Sequence, residues 1–488
     1  MLVIRSLPDP LVQEDVALNV SDRLETTPYD GRPMATIRPN APSPELIPIL
    51  APPIDPYWSR SRQFGLFACL WAVILLKNPY NTFWPSLINE DGAIMFKHYY
   101  ENPGLENLWL QYAGYVSVMP DLMAFFVASL PPSLVAYTYL LLATASFAIA
   151  YSAFFLPRFR AFIPNDRHRW IVCLTLALLP LGNSALMRAV TYSFWALLMV
   201  STLICLVPGS KKSPVVWTEF ILLSLNACSS PVSVILLPLL VWRAIHGRTS
   251  LETSLFVAVC LISIAYLGLA VETGGAKGDI LYTALHVIPA FGDRVSFEPF
   301  LSSRLRMEFI WRGLHAVPVA LGWTILLLIL GGALSDRATR AVFQRERVAA
   351  LWGSYCIASL TVISIYSRFG PGGLEYTSAF HQRYFWIQQC LLGLVIGIVV
   401  FSNTRIAHLL SQPRSRRVLI AGCLSYLLAL NVLDLGKTVA GSGDGRTVAA
   451  FLGKLEECET TGHCVEPVSL ERDWDPINSF QINRFRPN

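Results

Sequence analysis

The chain has 488 residues, of which 53% are hydrophobic and only 15% are charged. A soluble domain carries roughly 25% charged residues, so this chain lacks the polar surface that a soluble protein needs. The formal net charge of +5 is too small to indicate a nucleic-acid-binding protein. We therefore expect an integral membrane protein.

Residues 1–58 differ in composition from the rest of the chain. They are rich in proline, mix acidic with basic residues, and show little apolar periodicity. This composition predicts a disordered arm on the cytoplasmic side. A secretory signal needs an apolar core near the start, and Pro8, Asp9 and Pro10 interrupt that region. The first membrane helix is therefore predicted to be an uncleaved anchor.

Apolar blocks follow the arm, and each is close to the length that a helix needs to cross a bilayer. The blocks predict an all-α polytopic membrane protein with about eleven spans in one domain, residues 59–435. The predicted spans are 63–79, 133–156, 170–187, 190–208, 215–229, 231–246, 251–271, 314–334, 348–366, 385–402 and 418–435.

Basic residues between the spans predict the orientation of the chain. With a cytoplasmic N-terminus, five connections rich in arginine or lysine all fall inside, as the positive-inside rule expects. These connections contain Arg158, Arg160, Arg167 and Arg169; Lys211 and Lys212; Arg243 and Arg248; Arg337, Arg340, Arg345 and Arg347; and Arg405, Arg414, Arg416 and Arg417. The same pattern predicts that the C-terminus lies outside.

The apolar segment 116–130 is the ambiguous one. Counting it as a twelfth span would move the basic connections to the outside, so we predict a re-entrant or interfacial helix instead. The outer face then holds the loops 80–132, 272–313 and 367–384 and the tail 436–488. Long ordered loops usually carry function, so we expect any chemistry on this face.

Two cysteines in the outer tail predict a disulfide. Cys458 and Cys464 bracket a short loop on the side where disulfides persist. Metal binding by these two residues with His463 is the alternative, but the ligand set is incomplete, so no metal site is predicted. The eight remaining cysteines lie in or beside spans, where we expect small apolar packing residues.

The first outer loop carries adjacent carboxylates just after the first span. Glu90 and Asp91 precede Gly92, which lets a backbone approach closely. A carboxylate at the membrane rim could act as a general base, with Asp91 the first candidate and Glu90 the second. Alternatively, both acids cap the helix predicted over residues 91–100.

Aromatic and basic residues near this pair are candidates for lining a substrate site. They are Lys97, His98, Tyr112, Tyr115, His381 and Tyr384. The two histidines could shuttle protons, but they could also donate structural hydrogen bonds.

Arginines on the outer face run against the positive-inside bias and need an explanation. A guanidinium at the interface binds phosphate bidentately, so Arg188, Arg294, Arg306 and Arg383 are candidates for holding a lipid-linked phosphate. Contact with lipid headgroups is the alternative for each.

The layout resembles the GT-C superfamily of membrane glycosyltransferases. The resemblance is carried by Glu90–Asp91–Gly92, Tyr112 with Gly114–Tyr115, the hairpin at Pro231, and Arg383–Tyr384. It is closest to bacterial enzymes that use polyprenyl-phosphate sugars. It implies transfer of a hexosyl or pentosyl group to a hydroxyl of a surface glycan or glycolipid, with inversion.

The same resemblance implies that the loop carboxylate activates the acceptor while arginines hold the donor phosphate. It implies no certain cofactor; a divalent metal is possible but not indicated. The chain lacks a WWD-like motif and a large outer domain, so the acceptor class stays open.

Two alternative functions remain at this point. One is a polysaccharide polymerase or ligase, and the other is a transporter or flippase. The adjacent acids soon after the first span favour the transferase over the polymerase or ligase. The polar residues gather at the outer rim rather than at mid-membrane, and no internal repeat is evident, which argues against a transporter. Nucleotide-binding and soluble hydrolase motifs are absent from usable locations.

Overall fold

The computed structural model describes most of the chain after the arm. The described residues are 59–87, 91–112, 115–181, 186–209, 211–271, 278–369, 376–377, 382–440, 445–461, 468–470 and 480–482. The predicted disordered arm, residues 1–58, lies outside this part of the chain.

Helices make up nearly all of the described structure. The α-helices of the first half are α1 Arg60–Leu76, α2 Pro79–Phe83, α3 Lys97–Glu101, α4 Val118–Ala128, α5 Pro132–Ser152, α6 Asp166–Leu178, α7 Ser193–Leu206, α8 Ser213–Ala227, α9 Leu237–Ile245 and α10 Ser250–Val271. Those of the second half are α11 Ile280–Ala290, α12 Glu298–Leu301, α13 Ser303–Trp311, α14 Ala316–Ser335, α15 Arg337–Arg345, α16 Arg347–Arg368, α17 Trp386–Ser402, α18 Thr404–Ser411, α19 Pro413–Ala440 and α20 Gly445–Thr461.

Shorter elements connect these helices. Two π-helical stretches are Asp91–Phe96 and Phe291–Phe297. The 3₁₀ turns are Leu105–Asn107, Ala153–Phe155, Pro157–Ala161, Val190–Tyr192, Pro231–Leu236 and Gln382–Phe385. Two antiparallel strand pairs join β1 Gln111–Tyr112 to β2 Tyr115–Val116, and β3 Val468–Leu470 to β4 Phe480–Ile482.

Six helices in the described part of the chain are long and apolar enough to cross a membrane. They are Pro132–Phe155, Ser250–Leu269, Ala316–Ser335, Arg347–Ser367, Gln382–Ser402 and Pro413–Val432. The chain is therefore an all-α protein with the character of a membrane protein.

The other predicted spans also contain helices, but these helices are shorter. The helices α1, α6, α7, α8 and α9 have 9 to 17 residues, whereas a span needs about 20. Prolines explain part of the difference: α6 ends at Leu178 because Pro180 favours an extended Leu179. A 3₁₀ turn that starts at Pro231 likewise replaces the first 6 residues of the span predicted over 231–246.

The basic connections lie together at one end of the helix bundle, which we call the basic end. Arg158 pairs with Glu219 of α8 and donates to the carbonyl of Val207, just after α7, at 3.0 Å, and Arg345 donates to the carbonyl of Ala161. Asp336, just after α14, accepts a hydrogen bond at 3.3 Å from the amide that starts α18. Connections from distant parts of the sequence thus share one side, as the positive-inside pattern predicts.

The first loop packs at the opposite end. The hydroxyl of Ser117 donates to the carbonyl of Ser229, in the turn after α8, at 2.7 Å. The helix α4, in the ambiguous segment 116–130, has 11 residues. It is therefore only about 16 Å long, too short to cross a bilayer on its own.

The helix α20 covers the first loop, where the sequence indicated only a short tail. Its buried Val448, Phe451 and Leu452 join the apolar cluster formed by the first loop and α5. The hydroxyl of Tyr100 donates to Glu459 at 2.5 Å. The C-terminal segment therefore helps to hold the first loop in place.

Candidate functional site

Asp91 is buried and binds the 3₁₀ turn that precedes α7. Its side chain is 1% exposed. The amide of Val190 donates to Oδ2 at 2.8 Å, and the amide of Thr191 donates to Oδ1 at 2.8 Å. The Thr191 hydroxyl donates to Oδ1 as well. The carboxylate thus satisfies amides at a helix N-terminus, where an acidic group is favoured.

This contact changes the capping interpretation of Asp91. The sequence suggested that Asp91 caps its own helix, but its carboxylate binds amides of the 3₁₀ turn Val190–Tyr192, which precedes α7 and lies about a hundred residues further along the chain. Asp91 therefore fastens the first loop to the turn before α7.

Arg383 approaches the same turn from a different part of the sequence. Its Nη1 donates to the Tyr192 hydroxyl at 2.9 Å, and its Nη2 donates to the Tyr384 hydroxyl at 3.3 Å. The guanidinium carbon lies 4.7 Å from the centre of the Tyr192 ring and 5.0 Å from that of Tyr384. Both contacts are cation–π interactions, and the phenol oxygens are neutral acceptors. These contacts hold the guanidinium against two aromatic rings.

Arg188 begins the segment that Asp91 and Arg383 contact. Its side chain is 7% exposed, and burial lowers the pKa of Arg188 to about 9. The group therefore remains protonated at neutral pH. Three residues predicted for the site thus meet at one segment, Arg188–Tyr192, which we call the arginine turn.

Two residues of the arginine turn were not among the predicted site residues. Thr191 holds Asp91, and Tyr192 holds Arg383. The available signal was their position beside Arg188 at the start of an apolar helix, where polar side chains need a partner.

A second buried carboxylate lies in the first loop. Asp121 is fully buried, and its Oδ2 accepts from the amide of Ser117 at 3.3 Å. Burial raises the pKa of Asp121 to about 7. The Tyr99 hydroxyl is close to this carboxyl but donates to the carbonyl of Leu108 at 2.8 Å. Within the described residues, Oδ1 of Asp121 has no hydrogen-bond partner.

The predicted lining residues take several roles. His98 Nε2 is 3.1 Å from the carbonyl of Asn107, which matches the structural alternative for this histidine. Tyr112 pairs with Tyr115 across the two strands of the first loop. Lys97 is half-buried at the start of α3.

Arg294 and Arg306 are buried deep in the second loop. Arg306 donates through Nε to both oxygens of Asp293, at 2.8 and 2.9 Å. Arg294 donates to the carbonyl of Tyr376 at 2.7 Å and pairs with Glu298 at 3.4 Å. Both arginines are 0% exposed, and burial lowers the pKa of Arg294 to about 10. These contacts hold the second loop together, so neither arginine enters the site proposed below.

Some predicted residues cannot be placed. Glu90, His381 and Cys464 lie outside the described residues. Cys458 is disulfide-bonded, while the other cysteines of the described part have free thiols. The Cys458–Cys464 pairing stays a prediction. No group of three histidine, cysteine or acidic residues in the described ranges is arranged to hold a metal ion.

No family model matches the chain, and neither a curated protein nor a solved structure shows significant similarity to it.

Proposed function

We propose that the protein is a membrane glycosyltransferase of the GT-C type. It would transfer a sugar from a polyprenyl-phosphate donor to a hydroxyl of a cell-surface glycan or glycolipid. The observation that carries the proposal is the arginine turn, where Asp91, Arg188 and Arg383 meet although they are far apart in sequence.

The proposed topology has about eleven spans in a bacterial inner membrane, with the N-terminus cytoplasmic and the C-terminus outside. Two packing features support an odd number of spans. The basic connections share one end of the bundle, and α20 packs on the first loop at the other end. A chain that enters α1 at the basic end and leaves α19 beside the first loop crosses an odd number of times.

The chemistry assigns a role to each of the three residues. Arg383, which is partly exposed, donates hydrogen bonds to the phosphate of the donor lipid. The charge of Arg188 stabilises the phosphate as it leaves. The acceptor oxygen attacks the anomeric carbon, the bond from that carbon to the phosphate oxygen breaks, and Asp91 takes the acceptor proton. Asp91 and Arg383 contact the turn to which Arg188 belongs. The base is therefore held close to the two arginines that stabilise the phosphate.

A lipid-binding experiment tests the phosphate role. The purified full chain is titrated with decaprenyl phosphate and with decaprenol, which lacks the phosphate. Charge-assisted hydrogen bonds are worth about 1.5–3 kcal/mol, so the phosphate form should bind at least about tenfold more tightly. Arg383→Gln should remove this preference.

Arg312→Gln is the matched control because Arg312 is an exposed arginine of the second loop, 69% accessible and paired only with the neighbouring Glu308 among the described residues. This variant should keep the preference. Equal binding of the two lipids by the unmodified protein, or an unchanged preference in Arg383→Gln, would refute the proposal.

A further inference from the structure

A cavity lies at the basic end of the bundle, opposite the arginine turn. Its volume is about 790 Å³, within the range of roughly 300–1,000 Å³ that is typical of small-molecule sites. The end of α7 and the 3₁₀ turns that follow α5 form one wall, and the helices α14 to α17 form the other. Most of the lining side chains are apolar, among them Phe154, Leu203, Ile357, Leu391 and Ile398.

The cavity borders a helix face that is exposed and apolar. Leu330 and Leu334 of α14 line the cavity and are 41% and 65% exposed. The helix α14 is one of the six candidate spans. A hydrocarbon chain in the bilayer could therefore enter sideways without passing a polar surface.

Two arginines stand at the edge of this cavity. Arg340 and Arg347 are part of its lining and are exposed. Within the described part of the chain, neither arginine side chain makes a hydrogen bond or an ion pair. The buried arginines at the same end differ, since Arg158 and Arg243 both pair with glutamates. Arg340 and Arg347 thus keep their donors for a ligand.

We propose that this cavity binds an anionic phospholipid. The acyl chains occupy the apolar interior, and Arg340 and Arg347 bind the phosphate of the headgroup. Guanidinium groups bind phosphate through paired hydrogen bonds, and basic pockets between membrane helices bind anionic headgroups. The site is separate from the arginine turn and does not depend on the proposed transferase activity.

Lipid retention tests the headgroup contact. The full chain, purified in detergent, is incubated with phosphatidylglycerol or phosphatidylcholine carrying identical acyl chains, and bound lipid is counted by native mass spectrometry. One arginine near the membrane surface is worth about fivefold in affinity for an anionic lipid. Phosphatidylglycerol should therefore be retained at least about tenfold better, and the double variant Arg340→Gln/Arg347→Gln should lose this preference.

A tryptophan at position 353 tests the tail contact. Gly353 lines the cavity, and a Cβ atom there would meet nothing within 4 Å. Gly353→Trp therefore fills the cavity from α16 and should displace both lipids. The matched control is Gly268→Trp in α10, where a Cβ atom is equally unobstructed but the residue does not line the cavity.

The proposal predicts full retention in Gly268→Trp and loss in Gly353→Trp, with thermal unfolding recorded for both variants. Equal retention of the two lipids by the unmodified protein would overturn it. So would undiminished retention in Gly353→Trp. If Gly353→Trp fails to fold, the arginine double variant alone decides the result.

Discussion

The arginine turn and the second loop both combine arginines with acids, but they stabilise charge in different ways. In the second loop, Arg306 and Asp293 neutralise each other while buried. At the arginine turn, Asp91 accepts hydrogen bonds from two amides and a hydroxyl, and Arg383 donates to two phenol groups. The buried ion pair of the second loop suits a structural role, whereas the dipoles at the arginine turn orient the charged groups that they contact.

The sharpest test of the second loop is the loss of one partner of its buried pair. Arg306→Met removes one partner of this buried ion pair, which costs about 3–5 kcal/mol. Thermal unfolding in detergent should show a large destabilisation or no folded protein. Arg312→Met breaks only the exposed pair with Glu308 and should cost less than about 1 kcal/mol. Similar effects from both variants would contradict the structural role of Arg306.

Asp91→Asn tests whether the first loop carries chemistry as well as structure. The new amide group opposes the donors of Val190 and Thr191, which should cost about 1–3 kcal/mol of stability. Removal of a general base should also slow sugar transfer by about 10²- to 10⁴-fold.

Thr191→Val is the matched control for Asp91→Asn because it removes one hydroxyl donor and leaves the carboxylate intact. It should cost about 1 kcal/mol and retain transfer within tenfold. If both variants lose transfer equally, Asp91 is an anchor of the loop and not the base.

The smallest effect concerns the pH dependence of stability. Burial raises the pKa of Asp121 from 3.8 to about 7, so between these values the folded state keeps a proton that the unfolded state releases. The stability that this proton provides is complete below about pH 4 and is lost as the pH rises to about 7.

Asp121→Asn should therefore remove this pH dependence. Relative to the unmodified protein, the variant should gain at most about 3 kcal/mol of stability between pH 5 and pH 8, measured by thermal unfolding. A stability difference that does not change with pH would exclude Asp121 as the titrating group.

The sequence predicts some parts of the site and not others. Residue type and position at span ends were enough to select Asp91, Arg188 and Arg383, because charged groups at a membrane rim need an explanation. Their partners were not predictable, since Val190 lies 99 residues from Asp91 and no local pattern joins them. The pairing of Arg306 with Asp293 was not predictable either, because no local sequence pattern joins these two residues.

The fold was likewise predictable in part from the sequence. Hydropathy located the helices but not their lengths, because Pro180 and Pro231 shorten helices inside apolar blocks. The helix α20 could have been predicted from the sequence, because the apolar residues Val448, Phe451 and Leu455 have the spacing of one helix face.

The contact between α20 and the first loop also sets an order for biogenesis. The first loop is synthesised early, yet part of its apolar surface is covered by Phe451 and Leu452, which are synthesised near the end. Domains begin to fold as the ribosome releases them. Here the first loop stays partly uncovered until α20 has been synthesised. A ribosome that stalls before α20 therefore leaves a protein whose first loop still exposes an apolar surface. Quality-control proteases would have access to that surface.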